Sequence, residues 1–293
     1  VKRDEIIADL VRSVVAEEAS RTSGAARRPT GISPQDVKLA KRAAVWLGTS
    51  VASPGNPGAW SPAGTQQEYL ASTPARLGVG RAGTRTRTTT SLDFLVDHAA
   101  ARDAVASMVD PGVASALGFV PLASMAEDKR QFLARPDLGR RLSEESLKIV
   151  RQKATKSPQV QLAAVDGLSA TALTVNLPLV VPALMAEFQR LGIRTGTPFV
   201  VHNGRVVAGD ELARATGAEV LCLLVGERPG LKTAESMGAY VTFMKARNFN
   251  EAMRYVVSNI HKDGLKPDEA ARQIAALCRK ALDEKKTGVD FSS

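Results

Sequence analysis

The chain has 293 residues, a formal charge of +9 at pH 7, 44% hydrophobic and only 4% aromatic residues. That length buries a substantial core, while so few rings exclude a stacking platform for single-stranded nucleic acid, which needs several exposed rings to hold successive bases. The positive excess suits a nucleic acid or an acidic protein partner, and net charge alone does not separate them.

The N-terminal 75 residues divide in two. Residues 1–19 form a tethered amphipathic helix, with Ile6, Ile7, Leu10, Val11, Val14 and Val15 on one face. Residues 20–75 are linker and short helix: a polar stretch, a helix over 34–47 ended by Gly48, then Pro/Gly/Ser-rich loop. Asp9 and Arg12 interrupt any signal-peptide core. No apolar stretch is read as reaching the about 20 residues of a membrane span, so a cytoplasmic chain is expected.

Residues 76–158 read as a mainly helical region. One helix from Ser91 carries Leu92, Leu95, Val96, Ala99, Val105 and Met108, and another opens at Ser143 with Glu144 and Glu145 in its first turn. Residues 159–293 change character. Apolar strands are expected over 160–165, 198–202 and 219–225, with helices over 177–191 and 210–215 and a last one over 267–285. This alternation predicts an α/β fold: a Rossmann-like parallel sheet with flanking helices in the C-terminal half, preceded by a mainly helical N-terminal region. Cys222 in a strand and Cys278 on an apolar helix face read as reduced core residues.

Four patterns bear on chemistry. Val225-Gly226-Glu227-Arg228-Pro229-Gly230-Leu231 places a carboxylate and a guanidinium at a strand's carboxyl end, where open α/β sheets bind ligands. Gly78-Val79-Gly80-Arg81-Ala82-Gly83 fits the dinucleotide fingerprint, with Asp103 at the ribose-binding distance, and would define a nicotinamide-dependent oxidoreductase. No apolar strand precedes those glycines, however, and the phosphate-binding turn needs one. Arg76, Arg81, Arg85 and Arg87, with Arg135, Arg140 and Arg141, suit a protein interface better than a solvated basic loop, and a basic nucleic-acid-binding protein is the alternative they leave open. His98, His202 and His261 stand apart from one another and from the cysteines, so no zinc site is read. His261 follows Asn259 where a base-replacing cobalamin motif has Asp; an amide is a poor acceptor for the imidazole proton, which argues against cobalt ligation.

From residue 76 onward the ordered segments Arg76 to His98, Arg135 to Leu142, Asp166-Gly167-Leu168-Ser169, Gly196-Thr197-Pro198-Phe199, the 225–231 turn and Ser258-Asn259-Ile260-His261 resemble the ethanolamine ammonia-lyase small-subunit family. The resemblance implies an adenosylcobalamin lyase that converts ethanolamine to acetaldehyde and ammonia. Its substrate site belongs to a large partner subunit, and the base-on cofactor lies between the two subunits. Val206, Glu227 and Val256 fall on the family's cobalamin contacts; at Val256 some relatives carry Cys, so a sulfur is not required there. The resemblance further implies a hetero-oligomer with six copies of each subunit, no nucleic acid, no membrane, and no catalytic or metal-ligating residue in this chain. In members from microcompartment-bearing bacteria, a helix like residues 1–19 is the encapsulation tag.

Overall fold

The computed structural model describes residues 68–69, 72–73, 75–77, 79–246 and 251–288. The expected helices over 1–19 and 34–47 lie outside the described residues.

Residues 81–86 form a two-stranded hairpin, β1 (Arg81–Ala82) with β2 (Arg85–Thr86). Four helices follow: α1 (Thr88–Ala106), α2 (Pro111–Ala116), α3 (Lys129–Ala134) and α4 (Glu144–Lys153), with the strand β3 (Val120–Ala123) after α2. The helix expected at Ser143 starts there, because the Ser143 hydroxyl accepts the Ser146 N–H as an N-cap.

Then β4 (Val160–Val165), α5 (Ala170–Arg190), β5 (Phe199–His202), α6 (Val206–Thr216) and β6 (Val220–Gly226) alternate. The chain closes with β7 (Met237–Phe243), β8 (Tyr255–Ile260) and α7 (Pro267–Glu284). Helix α6 runs longer than its sequence pattern suggests and stops at Gly217, whose φ of 74° ends it in the left-handed conformation. Helix α5 begins at the Ser169 cap, well before its expected start at 177, and runs through Pro178 and Pro182.

The six-stranded sheet has the order β3-β5-β4-β6-β7-β8. β3, β5, β4 and β6 are parallel, whereas β7 runs antiparallel to β6 and β8 antiparallel to β7. The α/β class and the parallel pairing of the three expected strands hold, but the sheet as a whole is mixed and not the Rossmann-like parallel sheet expected. Residues 227–236 are too few for a crossover helix, so the chain returns beside β6 in the opposite direction. β3 contains Pro121, which hides it from strand reading; an edge position tolerates the missing N–H.

Alternate strand residues feed two cores. Leu162, Ala164, Val200, Cys222, Leu224, Ala239 and Val241 pack beneath α5 and α7. Ala163, Val165, Val201, Leu221, Leu223 and Val225 pack on the other face beneath α4 and α6. One expectation fails here: α5 has 21 residues and a mean hydropathy of 1.5, long and apolar enough to cross a membrane. Leu173, Leu177, Val180, Val181, Leu184 and Phe188 on this helix are buried in the first core, and a helix sandwiched between a sheet and α7 is apolar over most of its circumference.

Candidate functional site

Strands β4 and β5 are neighbours whose following helices, α5 and α6, lie on opposite faces, which opens a crevice at their carboxyl ends. The chain's own groups fill part of that crevice, and a cavity of about 580 Å³ remains beside them, lined by Asp110, Thr171, Thr174 and His202. The fully buried Asp166 carboxylate accepts N–H bonds from Asn203 (2.9 Å) and Gly204 (3.1 Å). Lys129 Nζ stands 3.7 Å from it and donates to the Gly167 carbonyl. Burial pushes the Asp166 carboxyl above the usual carboxylate range, and burial pulls the Lys129 ammonium below its usual value. Phe132 of α3 lies between Lys129 (4.6 Å) and Arg205 (4.5 Å), and Arg205 donates to the Phe132 carbonyl.

The open part of the sheet lies further along, at β6, β7 and β8. On the second-core face α6 covers β4 and β6, leaving Tyr240 half-buried and Val256, directly across from it in the ladder, 51% exposed. Glu227 continues β6 and shares the face of Val225. Its Oε2 accepts a 2.5 Å hydrogen bond from the Ser236 hydroxyl, and its backbone N–H donates to the Ser236 carbonyl. Its Oε1 lies over Gly238, where an added Cβ would stand 2.7 Å away. Opposite Gly238, Ser258 and Asn259 form a bulge in β8. Val206, the first residue of α6, is half-buried against the same core as Tyr240. Val206 thus packs on the second-core side of the sheet, and Glu227 and Val256 lie on that same face beside Gly238 and Tyr240, two residues that sequence reasoning missed. A strand-period alternation at 236, 238 and 240 was the available signal.

Beneath this shelf Arg254 forks onto Asp210 of α6, Nη1 to Oδ1 at 2.8 Å and Nη2 to Oδ2 at 2.7 Å, and also donates to Thr242 of β7 at 3.0 Å. The two side chains are 6% and 1% exposed. A cavity of about 610 Å³ adjoins Glu227 on the loop side, lined by Arg76, Phe94, Arg228, Lys232 and Ser236.

The glycine fingerprint takes a different form from a nucleotide turn. Residues 81–86 are a hairpin, Gly80 and Gly83 have positive φ, and α1, starting at Thr88, follows the exposed two-residue β2 and not a strand of the six-stranded sheet. Asp103 lies on α1, exposed. Several arginines of the two basic clusters pair within the chain: Arg76 with Asp97, Arg135 with Asp137 at 2.7 Å, and Arg140 with Glu251 at 2.5 Å. His261 is buried, its Nε2 bonded to Asn259 Oδ1 at 2.8 Å and its Nδ1 accepting the Asp263 N–H at 3.3 Å. Asn259 has φ of 62°, a left-handed conformation that Asn tolerates well, so it serves the β8 bulge as well as the imidazole. Among the described residues no group of three or more His, Cys, Asp or Glu side chains could hold a metal ion.

Fold and surface together define an α/β protein with a partly filled switch-point crevice and an open sheet face over β7 and β8. The family model for the ethanolamine ammonia-lyase light chain matches residues 64–292. The ethanolamine ammonia-lyase small subunit of Fusobacterium nucleatum is 47% identical over 224 residues, covering 76% of each chain. That of Clostridium acetobutylicum is 42% identical over 76% of this chain and 93% of its own. That of Listeria monocytogenes (serovar 1/2a) is 41% identical over 219 residues, 75% of each. The chain belongs to the ethanolamine ammonia-lyase small-subunit family.

Proposed function

We propose that this chain is the small subunit of an adenosylcobalamin-dependent ethanolamine ammonia-lyase and holds cobalamin against a large subunit that carries the substrate site. When bound, the cofactor supplies radical chemistry through homolysis of its cobalt–carbon bond. The observation that carries this reading is the shared face of Val206, Glu227 and Val256: a carboxylate set among apolar side chains on an open shelf.

The residues fit a corrin. Such a ring has broad apolar faces and a periphery of amide side chains. Val206 and Val256 offer apolar area. Glu227, held by Ser236 through one oxygen, keeps its other oxygen over the space that Gly238 leaves, where it can accept an amide N–H. A charge-assisted acceptor of that kind is stronger than a neutral one. These groups orient and bind; they move no proton. The local bonds of His261 support a cofactor that keeps its own base as lower ligand.

The partner in this reading is the large subunit, in a hetero-oligomer with six copies of each chain. Residues 1–19 are its microcompartment tag where the host makes a shell, and the assembly is cytoplasmic where it does not. Co-expression with a large subunit and an acetaldehyde assay tests the proposal. Cobalamin-dependent turnover should require both chains, and full turnover by the large subunit alone would overturn it.

A further inference from the structure

We infer that the buried Asp210–Arg254 pair sets the spacing between the two apolar contacts, Val206 and Val256, and so tunes cobalamin affinity without touching the cofactor. This rests on the reading that the open face holds cobalamin.

The geometry is compact. Val206 and Asp210 are four residues apart on α6 and therefore stack on one helix face. Arg254 and Val256 are two residues apart at the start of β8, which puts them on one side of the extended chain. The bidentate fork thus joins the two elements one helical turn and one strand repeat away from the contacts themselves. Thr242 adds a third element, β7, through its hydroxyl, and Arg254 Nε donates to the Glu251 carbonyl, fixing the approach to β8. A planar guanidinium holding two carboxylate oxygens at 2.7 and 2.8 Å tolerates little rotation or translation of α6 relative to β8.

Stability alone is a poor account of this pair. Both side chains are almost wholly withdrawn from water, and the desolvation of two ions offsets most of their attraction, so an apolar pair of similar volume would hold the fold about as well. What an apolar pair lacks is direction. Contacts to a large rigid ligand need their supporting residues placed to within about 0.5 Å, and the fork supplies that constraint. Asp210 and Arg254 are positioning residues.

The test compares three variants in the complex co-expressed with the large subunit, with cyanocobalamin as the titrant and thermal unfolding as the parallel readout. Asp210→Leu combined with Arg254→Met should melt close to wild type yet bind cyanocobalamin about tenfold more weakly. Arg254→Lys, which keeps the charge and loses the fork, should weaken binding in the same sense. Leu177→Ala, in the opposite core, should lower the melting temperature and leave the dissociation constant unchanged. Wild-type affinity in Arg254→Lys, or a loss of affinity in Leu177→Ala that tracks its melting temperature, would overturn the inference. A wild-type complex that binds no cyanocobalamin would instead overturn the cobalamin reading beneath it.

Discussion

Gly238 lies directly under the Glu227 carboxylate, so close that a single added carbon would stand 2.7 Å from Oε1. The strand residue without a side chain and the acid two positions past Val225 of β6 therefore form one unit: the first makes the space in which the second is held. Gly238→Ala tests this directly. The obstacle is the far end of a flexible side chain, so the fold should survive with a loss of about 1 to 2 kcal/mol. The carboxylate should move, and cobalamin affinity in the two-subunit complex should fall, as read by equilibrium titration.

Glu227→Ala should raise the cobalamin dissociation constant on the order of tenfold or more, through loss of a charge-assisted hydrogen bond. An unchanged binding isotherm for the complex would remove Glu227 from the site.

Gly226, one residue earlier, does a different job. A Cβ there would meet the Ser169 carbonyl at 1.9 Å and the Asp166 carbonyl at 2.7 Å, because the end of β6 passes tightly against the loop that follows β4. Both obstacles are backbone and cannot swing aside. Gly226→Ala should cost about 4 kcal/mol or more, and chemical denaturation of the purified chain or complex would read the loss.

Lys129→Met should destabilise by about 2 to 3 kcal/mol near neutral pH, by leaving the Asp166 carboxylate buried with no cation beside it. The sign of the pH dependence follows from the raised folded-state pKa of Asp166. The folded state holds this proton more tightly than the unfolded chain, so Asp166 contributes stability on the acid side that is lost as pH rises through its folded pKa. Removing the ammonium raises that pKa further. The deficit of the variant should therefore shrink as pH falls, which denaturation midpoints across pH would show.

Electron paramagnetic resonance of the Co(II) form, prepared with isotopically labelled protein nitrogen, should show no hyperfine coupling from the protein. Coupling to a protein nitrogen would mean that His261 gives up its bonds to Asn259 and Asp263 to reach the cobalt.

Much of this molecule was legible in its sequence. The apolar runs at 160–165 and 220–225, the helix start at Ser143 and the amphipathic face of α7 are local signals, set by periodicity and by which residues begin a helix, and the structure carries them. The ordered motifs from residue 76 onward carried the family, and with it Val206, Glu227 and Val256 as expected contacts. The direction of β7 was not legible, because it depends on how the short 227–236 connection closes against β6. Nor was the meeting of Lys129 and Phe132 with Arg205 beside the switch point, because Arg205 is distant from the other two in sequence. The same holds for Gly238 beneath Glu227 and for the fork between Asp210 and Arg254. Each is a contact between two different elements, and pattern reading follows one element at a time. Sequence by itself determined the three central parallel strands, the last helix with its buried face, and the family; the tertiary structure decided the remaining strands, which strand ends remain open and what holds them at their spacing, because only packing brings those groups within reach of one another.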